Sequence, residues 1–206
     1  MCLFVDEHVE SLQRQLQEIS SQFDDGSSSD ECIDKINCHS GRDCWSMEES
    51  CRFFKLMEQV QKQSKYTILH ETHRGRILYS PWTSLQILEK FPFIELTADL
   101  SHWVLVAERH LDEFDKVMEI VKSRTRHVHA RPCSTQHIQL SHLDDEAYKP
   151  DLDAFIKYWK DIIQKHRELG TRVFIRLFID YFRYLLDDFI DYFRYLLDDF
   201  IDYFRS

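Results

Sequence analysis

The sequence predicts an α/β fold built on a parallel sheet, and three observations support this prediction. Short strand-like segments alternate with helical segments at the spacing that βαβ units require. The chain has only four glycines and four prolines, too few for an all-β protein with many tight turns. Its composition, with 43% hydrophobic and 30% charged residues, is typical of a folded globular chain.

The predicted elements begin with an amphipathic helix, where apolar residues recur at helical spacing before a flexible polar segment, 20–30. Ser46 and Glu49 form a capping-box pattern, which predicts the start of the second helix. The segment 132–150 is expected to be a polar loop, and Gly170 is expected to end the last helix. The predicted helices span residues 3–19, 46–63, 82–90, 104–122 and 152–169, and the predicted strands lie near 33–38, 66–71, 94–99 and 126–130.

Polar motifs follow the C-terminal end of each predicted strand: HSGRD, HETHRGR, ADLSHW and HVHARP. In a (β/α)8 barrel, this is the end of the strands at which active sites are built. Doubly wound sheets also bind ligands there, so position alone does not choose between the two folds. Because four consecutive strands each end in His, Asp, Glu or Arg, we favour a partial (β/α)8 barrel with its strands parallel, adjacent and in sequence order.

Two carboxylates and two histidines of these motifs are candidate site residues: Glu71, Asp99, His102 and His129. Carboxylates and an imidazole from neighbouring strand ends can converge on one divalent cation. Such a cation can polarise a carbonyl and a hydroxyl while a carboxylate takes the proton from the adjacent carbon. The sequence therefore predicts a metal site at the carboxyl ends of the strands.

Three arginines of the same loops, Arg74, Arg76 and Arg131, are candidates to hold an anionic or hydroxyl-rich ligand. A structural alternative stands beside each assignment. A single histidine in such a loop is more often a hydrogen-bonded structural residue than a ligand, and Arg131 can simply neutralise nearby acids. The joint pattern favours a site, because structural needs rarely place Glu, Asp and His at three successive strand ends.

The segments INCHSGRDCWS, HETHRGRILYSPW, LTADLSHWVLVAER and HVHARP resemble the xylose isomerase-like TIM-barrel family of sugar (phosphate) isomerases and epimerases. The resemblance runs from about residue 3 to Gly170. It implies proton abstraction next to a carbonyl through a metal-bound enediolate, with Mn, Mg or Zn as the divalent ion. The implied partner is a sugar or sugar-phosphate small molecule.

The same resemblance implies roles for individual residues. Glu71 and Asp99 would bind the metal, with Glu71 also the catalytic carboxylate. His129 would be the third ligand, because it suits this role better than His127 by its position relative to the strand end. The implied substrate-binding residues are His39, Arg74, His102 and Arg131.

Two departures from the family pattern lead us to expect a truncated member with impaired activity. Such barrels run to roughly 250 residues or more, and the first strands of the family have no counterpart in these 206 residues. The family also supplies a fourth ligand and second acid/base, a Glu on the last strand. No Glu occurs between Thr171 and Ser206.

An 11-residue unit, FIDYFRYLLDD, begins at Phe178, repeats from Phe189 and begins again at Phe200. Its period is compatible with a straight amphipathic helix. We therefore divide the chain into a partial barrel, 1–170, and a helical repeat tail, 171–206. One interpretation of the tail is a helix that covers the incomplete barrel, pairs with a second copy or binds another partner, and we favour self-association. The other is an accident of the gene, such as a repeat expansion or a shifted reading frame.

The net charge of −10 argues against nucleic acid and acidic membranes as partners. The N-terminus lacks the basic region of a signal peptide, and we expect a cytoplasmic protein with its six cysteines reduced. Two functions of other classes stay open. One is a non-catalytic barrel remnant that acts through helix-mediated association. The other is a metal-dependent endonuclease of the same barrel type, which would need more His and Glu ligands and a basic groove.

Overall fold

A computed structural model describes residues 4–23, 34–140, 142 and 145–177. This part of the chain contains six helices and five strands, and two single turns of 3-10 helix lie at Leu111–Glu113 and Glu146–Tyr148. In chain order the elements are α1 Val5–Phe23, β1 Lys35–Cys38, α2 Met47–Gln63, β2 Thr67–Glu71, α3 Pro81–Lys90, β3 Glu95–Ala98, α4 Ser101–Ala107, α5 Asp115–Arg124, β4 Thr125–Ala130, α6 Lys149–Leu169 and β5 Phe174–Leu177.

The five strands form one parallel sheet in the order β1-β2-β3-β4-β5. The register places Cys38 of β1 beside His70 of β2, and Glu71 of β2 beside Thr97 of β3. Thr97 in turn lies beside His127 of β4, after a local irregularity in β3. The prediction that the first four strands are parallel, adjacent and in sequence order is confirmed.

The sheet is strongly curled, as a barrel wall must be. Lys35 at the start of β1 lies with its Nζ 4.5 Å from the centroid of the Phe174 ring at the start of β5. These residues belong to the first and last strands of the sheet, so the curvature brings the two edge strands towards each other. The predicted α/β fold with a partial (β/α)8 barrel is confirmed.

Side chains of β2 alternate between two environments, as strand geometry requires. His70 points to the helical layer, where its ring lies 5.2 Å from that of Phe54 on α2. Phe53 and Met57 of the same helix are fully buried. Glu71, one residue after His70, therefore points to the opposite face, the inside of the curled sheet.

Helix boundaries follow local capping chemistry. Ser46 Oγ accepts a hydrogen bond from the Glu49 amide at 3.2 Å, and Glu49 Oε2 accepts one from the Ser46 amide at 2.8 Å, so the predicted capping box is confirmed. The last helix, α6, ends at Gly170, whose positive φ of 63° is the left-handed conformation that glycine adopts readily.

The helix predicted over 104–122 is wrong, because the segment forms two helices. Helix α4 ends at Ala107, and Glu108 adopts a left-handed conformation with φ of 52°. The chain then passes through a 3-10 turn into α5. The amide of Leu111 in that turn donates a hydrogen bond of 2.8 Å to the hydroxyl of Tyr158 on α6, a tertiary contact that stabilises the break.

Other boundaries also differ from the prediction. Helix α1 continues to Phe23, so the start of the predicted flexible segment is helical. Helix α6 begins at Lys149 with Pro150 in its first turn, where proline lacks only an amide that would be unpaired anyway. Strand β5 was not predicted. The division of the chain into a partial barrel, 1–170, and a tail, 171–206, stays a prediction.

The rest of the predicted flexible segment, 24–30, and the repeat from Phe178 onwards lie outside the described residues. The tail helix and its proposed association therefore stay predictions. Within the described part of the chain, no helix combines the length and apolar character needed to cross a membrane.

Candidate metal centre

Three consecutive strands bring Glu71, Asp99 and His129 together. Glu71 is the last residue of β2, Asp99 directly follows β3, and His129 lies near the end of β4. Each residue offers one ligand atom, and these atoms lie within 4.8 Å of one another. The convergence expected from the sequence is thus present, because parallel strands place their carboxyl ends at one edge of the sheet. Metal binding by these residues stays a prediction.

Glu71 is buried and held by three polar neighbours. Asn37 Nδ2 donates a hydrogen bond of 2.6 Å to Oε2, and His39 Nε2 lies 3.1 Å from the same oxygen. His129 Nδ1 lies 3.3 Å from the other oxygen, Oε1. Burial alone would raise the pKa of Glu71, but the contacts with His129, Asn37 and His39 outweigh it and lower the pKa to about 2. Glu71 is therefore ionised at neutral pH.

Asp99 is fixed both by its backbone and by its side chain. Thr72 Oγ1 accepts a hydrogen bond from the Asp99 amide at 2.9 Å and donates one to the Asp99 carbonyl at 3.0 Å. Ser101 Oγ donates to Oδ1 at 2.5 Å, and Arg131 Nη2 donates to Oδ2 at 2.8 Å. Burial raises the pKa of Asp99, while Arg131 and Ser101 oppose this shift. Arg131 thus places a positive charge directly beside this buried carboxylate.

The residues present fit a divalent cation. Two carboxylates and one imidazole are the donor set that hard and borderline cations accept. Glu71 and Asp99 are buried close together, and each raises the cost of ionising the other, which a bound cation would offset. Three protein ligands leave coordination positions open, as in catalytic sites. No residue of the described part of the chain takes the place of the last-strand Glu in this group of three.

His102 lies beside the centre and is almost completely buried. Its Nε2 lies 2.8 Å from Arg131 Nη2 and 3.7 Å from Asp99 Oδ2. Because the guanidinium can only donate, Nε2 is the acceptor and the proton of the neutral ring lies on Nδ1. Burial, together with the charges of His73, Arg131 and Arg74, lowers the pKa of His102 to about 2. Its Nδ1 has no hydrogen-bond partner among the described residues.

Arg131 joins the parts of the site through one guanidinium. Besides its bonds to Asp99 and His102, its Nε donates to Ser101 Oγ at 3.1 Å. Arg131 therefore neutralises the buried Asp99, which is the structural alternative considered from the sequence. Its predicted contact with substrate stays a prediction.

Arg74, Arg76 and His39 lie on the open side of the site. Arg76 Nη2 lies 3.5 Å from His39 Nδ1, and its Nη1 donates to the Gly41 carbonyl at 3.4 Å. Arg74 is half-buried, and its positive charge contributes to the low pKa of His102. The structure thus places all four predicted substrate-binding residues around the same strand ends, and their roles towards a substrate stay predictions.

Sequence reasoning missed His73 and Asn37. The His73 ring lies 4.5 Å from the His39 ring and 3.9 Å from the His102 ring, between centroids. The sequence could have identified His73, because it lies in the motif HETHRGR, two residues after Glu71. Asn37 lies on β1, and His39 directly follows this strand. Since side chains two residues apart in extended chain point to the same side, both contact Glu71.

Fold and site together define a parallel α/β protein with a partial barrel and a candidate divalent-metal centre at the carboxyl ends of its strands. Among solved structures, this chain is similar to a D-tagatose 3-epimerase-like protein, with a TM-score of 0.53 and 16% sequence identity. The match covers 81% of this chain and 60% of that protein, so the chain spans less than two thirds of its structural neighbour. At this identity the likeness establishes the shared fold.

No protein-family model matches the sequence, and no curated protein matches it. The resemblance to xylose isomerase-like proteins is therefore supported at the level of the barrel fold. Membership as a truncated xylose isomerase-like protein is not supported by these comparisons.

Proposed function

We propose that this chain is a divalent-metal-dependent sugar epimerase- or isomerase-like protein that removes a proton next to a carbonyl. The convergence of Glu71, Asp99 and His129 at three successive strand ends is the observation that carries the proposal. The barrel shared with a D-tagatose 3-epimerase-like protein supports the same reaction class. The proposed substrate is a sugar or sugar phosphate.

The proposed ligands are Glu71, Asp99 and His129, and the bound cation would supply Lewis-acid polarisation of a carbonyl and its neighbouring hydroxyl. The chain itself contributes orientation. Thr72 fixes the backbone of Asp99, and Asn37 and His39 fix Oε2 of Glu71. Fixed carboxylates need little reorganisation when substrate binds, which is the main source of electrostatic catalysis.

Glu71 is the proposed proton acceptor. A carboxylate with a pKa near 2 is a weak base, because general-base catalysis is most efficient when the pKa lies near the working pH. The Glu that the resemblance implies on a last strand, as second acid/base, also has no counterpart between Thr171 and Ser206. We therefore expect slow proton transfer and little complete epimerisation.

His102 and Arg131 are the proposed donors to substrate oxygens. The Nδ1 proton of His102 is buried and lacks an acceptor among the described residues, and a substrate hydroxyl would supply one. Arg131 places a positive charge beside Asp99. The same charge would stabilise negative charge that develops on a substrate oxygen.

The test is exchange of substrate C–H protons for deuterium, followed by NMR in D2O with added Mn²⁺, Mg²⁺ or Zn²⁺. Exchange detects proton abstraction even when no epimer is released, so it suits a slow enzyme. We expect metal-dependent exchange on at least one ketose or ketose phosphate, lost in Glu71→Gln. Glu113→Gln, a change at a surface carboxylate paired with Arg109, is the matched control and should keep the exchange. A failure of every sugar to exchange with every metal would contradict the proposal.

A further inference from the structure

Two arginines of neighbouring loops lie close together without a carboxylate partner. Arg42 lies in the loop after β1 and Arg76 in the loop after β2, and neither forms an ion pair within the described part of the chain. We propose that these two arginines bind a phosphate group of the substrate, which makes that substrate a sugar phosphate and not a free sugar. This inference rests on the proposed function and names the substrate class of the same site.

The backbone of the two loops holds the arginines near each other. The Ile77 amide donates a hydrogen bond of 3.0 Å to the Ser40 carbonyl, and Arg76 Nη1 donates one of 3.4 Å to the Gly41 carbonyl, next to Arg42. Burial lowers the pKa of Arg76, and the positive charge of Arg42 lowers it further. The second effect means that two like charges repel each other at this point. An anion bound to both would relieve the repulsion.

Both guanidinium groups have hydrogen-bond donors to spare. Arg42 Nε is shielded from solvent and has no hydrogen-bond partner among the described residues. The contacts of Arg76 are long, at 3.4 Å to the Gly41 carbonyl and 3.5 Å from Nη2 to His39 Nδ1. Guanidinium donors form a planar fork that matches the oxygens of a phosphate. A phosphate would therefore supply acceptors that the surrounding protein does not.

The nearby carboxylates leave this pair of arginines with its positive charge. Asp43 and Glu71 attract Arg76 without forming an ion pair with it, and Glu71 has its closest charged contacts with His39 and His129 instead. The chain as a whole carries a net charge of −10, which repels anions. The two arginines are thus a local positive region in an acidic protein.

A cavity of about 410 Å³ lies beside Arg76 and gives a ligand room. One face of α1 and residues of β1 line this cavity, and Asn37 and His39 lie in its wall. The same two side chains contact Oε2 of Glu71, at 2.6 and 3.1 Å. The cavity therefore adjoins the proposed proton acceptor. A substrate with its reacting carbon near Glu71 would extend its phosphate towards Arg76.

A structural alternative is that the two arginines are only solvated groups of the loops. In that case, replacing either of them would affect phosphate binding no more than the loss of a positive charge elsewhere. Arg14 provides this comparison, because it is an exposed arginine of α1 that does not line the cavity. Matched charge removal therefore separates the two interpretations.

The experiment is isothermal titration calorimetry of D-fructose 6-phosphate into the full chain without metal, so that binding does not depend on the metal centre. We expect Arg42→Gln and Arg76→Gln each to weaken binding by about tenfold or more, as expected for the loss of a charge-assisted hydrogen bond. Arg14→Gln should bind like the wild type. D-Fructose and D-gluconate, which lack the phosphate, should both bind at least about tenfold more weakly than the phosphate ester.

Near-UV circular dichroism checks that each variant folds. Arg42→Lys and Arg76→Lys keep the charge and serve if a Gln variant misfolds. We expect both Lys variants still to bind more weakly than the wild type, because lysine lacks the planar fork of donors.

The outcomes distinguish the phosphate subsite from the proposed function. The subsite is wrong if fructose 6-phosphate does not bind, or if the variants at Arg42, Arg76 and Arg14 bind it alike. Gluconate binding as tight as that of the phosphate ester would show a general anion site and would also overturn the proposal. Metal-dependent deuterium exchange on a free sugar would stand in either case. Conversely, arginine-dependent binding without exchange on any sugar would uphold the subsite and contradict the proposed function.

Discussion

Arg131 donates a hydrogen bond of 2.8 Å from Nη2 to Oδ2 of Asp99, one of the carboxylates proposed to bind the metal. The same nitrogen lies 2.8 Å from His102 Nε2. One guanidinium therefore places a positive charge beside Asp99 and keeps the proton of the neutral His102 ring on Nδ1. A cation at Asp99 would lie close to this arginine, because Asp99, Glu71 and His129 are grouped within 4.8 Å. Arg131 and the metal are therefore expected to compete for one carboxylate.

Replacing Arg131 tests that competition. Without metal, Arg131→Gln should lower the free energy of unfolding by roughly 3 kcal/mol, because it leaves a buried carboxylate without its positive partner. Mn²⁺ should stabilise the variant more than it stabilises the wild type. Urea unfolding with and without Mn²⁺ measures both effects, and equal stabilisation of the two proteins would show that there is no competition.

Replacing Asn37 tests how Glu71 is held. Asn37→Ala removes the 2.6 Å hydrogen bond to Oε2, one of the contacts that lower the pKa of Glu71. The pKa should therefore rise, and Glu71 should become a better base but a less fixed ligand. We expect Mn²⁺ affinity to fall about tenfold, in line with loss of an outer partner of a metal ligand. Isothermal titration calorimetry measures this, and an unchanged affinity would contradict the role given to Asn37.

Gly41 and Gly75 offer a matched pair of substitutions in the loops of the site. Both have positive φ, 63° and 71°, so alanine is strained at either position. A Cβ at Gly41 would lie 2.4 Å from Ile77 Cδ1 and 2.7 Å from a ring carbon of Trp45, whereas one at Gly75 would meet nothing within 4 Å. Gly75→Ala should cost about 1 kcal/mol of stability, and Gly41→Ala more, about 2–4 kcal/mol. Thermal unfolding ranks the two, and equal losses would show that the loop around Gly41 relaxes.

Buried histidines predict a loss of stability in mild acid. Burial lowers the pKa of His166, whose ring accepts or donates a 2.6 Å hydrogen bond to Thr171 Oγ1 at the end of α6. The unfolded chain takes up a proton near pH 6.5, and the folded chain does so only at lower pH. The stability from His166 is therefore present above pH 6.5 and is lost as the pH falls below that value. His8 and His70 shift in the same direction and add to the effect.

Urea unfolding at pH 7 and pH 5.5 measures this dependence. Each such histidine contributes a slope of at most about 1.4 kcal/mol per pH unit. His166→Gln should reduce the slope of the wild type. A free energy of unfolding that stays constant or rises on acidification would contradict the assignment of neutral buried histidines.

The sheet and the grouping of the three proposed ligands could be predicted from the sequence, and the reason is geometric. Glu71, Asp99 and His129 all follow or end strands of a parallel sheet, and parallel strands bring such positions to one edge whatever their exact bounds. A predicted strand that is wrong by one residue at each end, as for β3, therefore still predicts the position of the site. The capping box at Ser46 was also predictable, because it depends on residues three apart in the chain.

Features that depend on distant residues could not be predicted. The break between α4 and α5 is stabilised by the Tyr158 hydroxyl on α6, and nothing in the local sequence signals that contact. The role of Arg131 as a partner of both Asp99 and His102 depends on where α4 places His102. Strand β5 is only four residues long, and in the sequence its apolar residues continue without a break into the repeat that begins at Phe178.

The central claim is that Glu71, Asp99 and His129 bind a divalent cation, and a crystal structure of the Mn²⁺-soaked protein tests it most directly. The account predicts an anomalous-scattering peak about 2.0–2.5 Å from a carboxylate oxygen of Glu71, a carboxylate oxygen of Asp99 and a ring nitrogen of His129. The same crystals of Asp99→Asn should lack that peak. Well-ordered density for all three side chains with no anomalous peak between them would contradict the account.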